Sequence, residues 1–175
     1  MKTGVAITFT MALLLGVASV ANAQLKAGSP EEEAYTKLDA VQDADAKLAM
    51  LLDFEKQFPS VNPKVLANIC LMAMDIYSAK DNKAKIAEYG DKAVAKDPEN
   101  VSALLRVSLN YSREKINLPK AIEYAEKAKT LIVGMRTQPA PTGQTDLQWK
   151  QWLDANAQSA EQYYSYAKSM SASIR

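Results

Sequence analysis

Lys85-Ile86-Ala87-Glu88-Tyr89-Gly90-Asp91-Lys92-Ala93 returns 35 residues later as Lys120-Ala121-Ile122-Glu123-Tyr124-Ala125-Glu126-Lys127-Ala128. Two lysines, a glutamate, a tyrosine and an alanine recur in register, and Asp91 becomes the like-charged Glu126. A self-similar period of about 35 residues is the mark of helical repeat arrays. One helix pair in such an array cannot bury its apolar face alone, so neighbouring pairs stack and share a core. The stretch from Ala67 to Leu131 therefore fixes an all-α architecture, and the rest of the chain is read outward from it.

Asp97-Pro98 closes a first unit spanning 67–100. Its first helix carries Cys70, Ala73, Met74 and Tyr77 at large-small-small-large positions, and its second carries Ile86, Gly90 and Ala93. A second unit, 101–133, repeats the arrangement with Leu104, Val107, Ser108 and Tyr111, then Ala121, Ala125 and Ala128. One extra residue within Lys115–Pro119 lengthens the spacing. Small side chains at Ala73, Gly90, Ala93, Ala125 and Ala128 permit two antiparallel helices to approach closely, while Tyr77 and Tyr111 fill the wider gap between pairs. A charge at Ala93 or Ala128 should then be buried without a partner, whereas Lys92 reads as exposed.

This pattern, its period and its closing proline resemble the tetratricopeptide repeat family. Neither unit has the family's tryptophan at the first signature position, where Cys70 and Leu104 stand. The resemblance implies a right-handed α-solenoid whose first helices line a concave groove for a peptide or partner helix. By that register the groove-facing residues are Asn68, Leu71, Asp75, Ser78 and Ala79, then Ser102, Leu105, Leu109, Ser112 and Arg113. Some family members clamp a terminal carboxylate with Lys and Asn, but Leu71 and Asp75 stand where that clamp would begin.

Upstream, Lys2 precedes an apolar run over Val5–Val20, followed by the small residues Ala21-Asn22-Ala23. This is the layout of a signal peptide, 1–23, cleaved near Ala23 to leave a periplasmic or secreted protein without an integral membrane span. No cysteine follows the cleavage point, which argues against a lipid anchor. Residues 24–29 read as a flexible leader. Ser29-Pro30-Glu31-Glu32-Glu33 then starts a helix: a capping hydroxyl, proline at the first position, acids against the positive helix end. It is expected to run to about Gln42. Leu48, Leu51, Leu52 and Phe58 mark a second helix ended by Phe58-Pro59, so 30–59 reads as a degenerate first unit. Phe54 stands where the next unit has Ala93, which implies a looser or differently angled pair.

Helices are further expected over Pro63–Ala79, Lys83–Lys96, Glu99–Ser112 and Leu118–Val133, the last capped by Asn117. Pro139, Pro141 and Gly143 make Arg136–Gln144 a loop, long for a helix–helix connection. Thr145-Asp146-Leu147-Gln148 fits a capping box for a final helix. Within 145–173, Trp149, Trp152, Leu153, Ala157, Ala160 and Tyr164 suit a cap over the open end of the stack, with a polar outer face.

Composition restricts the chemistry. The chain has no histidine and one cysteine, so histidine-dependent triads, an internal disulfide and a cysteine–histidine zinc site are all unsupported. Cys70 reads as a small buried apolar residue. No phosphate-binding glycine loop, dinucleotide fingerprint or calcium loop is present, and no cofactor or metal is expected. The acids at Glu31–Glu33, Asp39, Asp43 and Asp45 lie at helix starts and turns, where capping explains them better than a catalytic pair. Of 21 basic residues Lys2 leaves with the leader, balancing the 20 acidic ones. No basic tract follows a phosphate backbone, which disfavours nucleic acid as a partner.

The reading is a noncatalytic interaction module or adaptor of the bacterial envelope that binds a protein or peptide. The alternative is a structural subunit of an envelope assembly, an oligomer included, docking through the aromatic last helix. A hydrolase of envelope polymers has only compartment and acid content in its favour.

Overall fold

The computed structural model describes residues 25–173, and the expected signal peptide, 1–23, and Gln24 lie outside them. Among the described residues are seven helices and no strand: α1 (Pro30–Ala40), α2 (Ala44–Gln57), α3 (Pro63–Ala79), α4 (Lys83–Lys96), α5 (Val101–Glu114), α6 (Leu118–Met135) and α7 (Asp146–Ser173). The protein is all-α. No described helix is long and apolar enough to cross a membrane.

Most helix starts are built by a side-chain oxygen accepting an otherwise orphaned N–H. Ser29 accepts from Glu32, Asp43 from Ala46, Asn62 from Lys64, Asn82 from Lys85 and Asn100 from Ala103. The capping box before α7 forms in both directions: Thr145 N–H donates to Gln148 Oε1 (2.9 Å) and Gln148 N–H to Thr145 Oγ1 (3.2 Å).

Four boundaries differ from expectation. Helix α1 stops at Ala40, because Val41 turns extended. Helix α5 begins at Val101 rather than Glu99, because Asn100 is itself extended and caps it, and runs on to Glu114. There Lys115 adopts the left-handed conformation, and the N–H groups of Lys115 and Ile116 return to the carbonyls of Ser112 (3.3 Å) and Tyr111 (2.9 Å). That is a Schellman closure with lysine in the place glycine usually takes. Asn117 is also left-handed, and its side chain makes no capping bond to α6. Helix α6 runs further than expected, to Met135. Residues 25–29 fold back against the body: Ser29 N–H donates to Lys26 O (3.0 Å), and Leu25 packs on the core.

Each helix packs against the next in order; beyond these pairings, α3 touches α5 and α5 touches α7. The small residues make the close crossings. Ala73, Ala93, Ala121, Ala125 and Ala128 are fully buried. Gly90 has the sharpest requirement, since a Cβ there would lie 2.7 Å from the Tyr111 hydroxyl oxygen. Tyr111 is fully buried over this gap, whereas Tyr77 is half-buried against Tyr89. The core runs unbroken from Tyr35 and Leu38 through Leu51, Ile69, Met74, Ile86, Leu104 and Ile132 to Ala167. Phe54 fills the α1–α2 contact, meeting Tyr35 edge-on at 6.1 Å.

Candidate partner-binding trough

Helix α5 has neighbours on four sides, α3 and α7 flanking it and α4 and α6 on either side in sequence. That crowding leaves an accessible line along it. Val101, Ala103, Leu104, Leu105, Val107, Ser108, Asn110, Tyr111 and Ser112 are buried and Glu114 at the helix end is half-buried, while Ser102, Arg106, Leu109 and Arg113 keep accessible surface. Spacings of four, three and four residues put these four on one face. The line is about 16 Å long at the helical rise. Helices α3 and α7 both pack on α5 without touching each other.

Helix α3 is stitched to α5 by polar contacts. Asp75 ion-pairs with Arg106 and accepts a hydrogen bond from Asn110 Nδ2 (3.5 Å). Ser78 Oγ donates to Glu114 Oε1 (3.3 Å). Burial pulls the Arg106 guanidinium below its ordinary pKa. Arg113 is more than half exposed and stands 3.9 Å from Glu114. On α7, Asp154 and Glu161 reach α6 through Arg136 (2.8 Å) and Lys129 (2.5 Å). The opposite flank of α7 carries Trp152, Ser159, Tyr163, Tyr166 and Met170, all half-buried.

The residues expected to line a groove thus divide in two. Asp75, Ser78, Ala79, Ser102, Leu109 and Arg113 keep accessible surface. Asn68, Leu71, Leu105 and Ser112 are turned into the protein. Asn68 Nδ2 donates to the Tyr35 hydroxyl, and Ser112 Oγ donates to the Ser108 carbonyl (2.8 Å). Leu71 and Leu105 belong to the core. Arg106 was not among the expected residues, although its spacing from Ser102 and Leu109 places it on their line.

A second polar cluster lies where α4, α5 and α6 meet. Asp91 accepts from the hydroxyls of Tyr111 (2.9 Å) and Tyr124 (3.2 Å) and from Lys120 Nζ (2.6 Å). Tyr111 also points its hydroxyl at the Ala87 carbonyl (2.8 Å). Burial first, and the Asp91 carboxylate second, raise both phenols well above their ordinary range. These groups tie three helices together and none faces the trough floor.

Cys70 is fully buried, and burial pushes its thiol up to about 12, so no thiolate forms at neutral pH. Among the described residues no three His, Cys, Asp or Glu side chains converge as metal ligands. Trp149 and Trp152 stack at 5.0 Å with their planes 9° apart, and both pack on the core. Trp149 borders an open cleft of about 340 Å³ at the α6–α7 connection, with Arg136, Pro139 and Lys150 on its rim.

No protein-family model, curated protein or solved structure matches this chain.

Proposed function

We propose that the protein is a noncatalytic interaction module of the bacterial envelope, exported by its amino-terminal leader, that holds a peptide or partner helix in the α3–α5–α7 trough. The reading includes the finer architecture: a tetratricopeptide-like, right-handed stack of antiparallel pairs with α7 as its cap. The observation that carries it is the accessible line Ser102–Arg106–Leu109–Arg113 on a largely buried helix, with α3 and α7 packed against that helix. The contacts of α3 with α5 and of α5 with α7 suit a stack in which alternate helices face one side. The floor mixes an apolar side chain with hydrogen-bonding and cationic ones, and α7 carries aromatic side chains, which fits an extended or helical segment.

Photocrosslinking side chains at Leu109 and, as an outward-facing control, at Glu126 test the reading in native envelopes. One dominant adduct from position 109, lost with Arg113→Glu and absent from position 126, is the expected result. Equal adducts from both positions, or none from 109, would overturn it.

A further inference from the structure

The helices differ in how they are tied to the body, and α1 stands apart. Among the described residues, interhelix ion pairs join α2 to α4 (Glu55–Lys92), α3 to α5 (Asp75–Arg106), α4 to α6 (Asp91–Lys120) and α6 to α7 (Lys129–Glu161 and Arg136–Asp154). No ion pair holds α1, although it carries Glu31, Glu32, Glu33, Lys37 and Asp39. Its backbone approaches α2 and no other helix. A cleft of about 120 Å³, lined by Ala34, Lys37, Met50 and Phe54 among others, lies between the two. Two side chains of α1, Tyr35 and Leu38, are fully buried, and its one side-chain hydrogen bond to another helix runs from Asn68 to the Tyr35 hydroxyl. At 11 residues it is shorter than the roughly 12–15 needed for marginal helicity alone. Extended backbone over Val41–Asp43 separates it from α2, whose start Asp43 caps independently.

We infer that α1 is a strap that opens as a unit about Val41–Asp43 while α3–α6 stay folded, with Tyr35 on Asn68 as its latch. Opening uncovers Asn68 and Phe54, which α1 otherwise shields. Such a segment belongs to the low end of a protein's range of local stability, where few contacts and one polar tie hold it.

Native-state hydrogen exchange on the purified chain tests this directly, read peptide by peptide. The hydrogen-bonded amides of α1 should exchange together, about 100-fold or more faster than those of α3–α6. Tyr35→Phe keeps the ring and removes the latch hydroxyl, so it should speed α1 exchange by roughly 5–10-fold while α1 remains the fastest-exchanging helix. Exchange of α1 at the rate of α3–α6 would overturn the inference. So would Tyr35→Phe leaving α1 exchange unchanged, since the hydroxyl would then latch nothing.

Discussion

Gly90 and Tyr111 form a lock and its notch: the ring occupies the space a Cβ would need, and its hydroxyl is held between Ala87 and Asp91. Alanine at position 90 would gain helix propensity of about 1 kcal/mol. It would also overpack against a ring that cannot swing away, at a cost of roughly 1–3 kcal/mol. Gly90→Ala should therefore be net destabilising in urea unfolding, and Tyr111→Leu in the same chain should remove the clash component. The same phenols set an alkaline limit. Both Tyr111 and Tyr124 have folded pKa values raised above the unfolded value of about 10. Their contribution is complete below that pH and is lost as the pH climbs, because the unfolded chain releases protons the folded chain retains. Unfolding free energy should fall above pH ~10, by up to ~1.4 kcal/mol per pH unit for each such tyrosine. Tyr124→Phe should reduce that slope by one tyrosine's share, measured by urea titrations from pH 9 to 12.

At the scale of the element, the close crossings make the sharpest demand. Ala93→Glu and Ala128→Glu each bury a charge at a fully enclosed position and should destabilise by several kcal/mol, on the order of 3–5. Lys92, which the sequence pattern presents as exposed, is a poor control: it pairs with Glu55 and Glu88 and lies over the Tyr89 ring. Ala95→Glu, on the exposed face of the same helix, is the better one and should shift thermal unfolding by little. Equal melting temperatures for the three variants would contradict the packing. Helices α3 and α4 were legible to the residue because Asn62-Pro63 and Asn82 announce their starts in the sequence itself. The α5–α6 turn was not, because asparagine serves equally as a cap or as a left-handed residue, and only the closure of α5 onto Lys115 and Ile116 decides between them. The trough was half legible for a similar reason. A single helix's pattern shows which residues share a face, but whether that face is open depends on helices packed alongside, as Leu71, Leu105 and Arg106 show.

Across the whole molecule, α7 completes the core. It lays Leu153, Asn156, Ala160 and Ala167 against α5 and α6, and its outward residues, Gln151, Gln158, Gln162 and Ser165, are polar. A chain ending before Gln144 would leave the α5 and α6 faces bare. It should aggregate or lose cooperative unfolding by circular dichroism. A truncated chain that stays monomeric and folds with unchanged stability would assign α7 to docking instead. The polar outer face of α7 was legible in the sequence, whereas its contact with α5 as well as α6 emerges only in three dimensions.

Among the described residues, every contact between helices joins elements one or two places apart in the chain, and none bridges α1 to α7. Mechanically, the protein is a set of links in series. Tension between its ends passes from neighbour to neighbour, with α3, α4, α6 and α7 sharing what reaches α5. The weakest link yields first, and the sparse α1–α2 junction sits at one extremity. A load applied there peels the chain inward while the far links still hold.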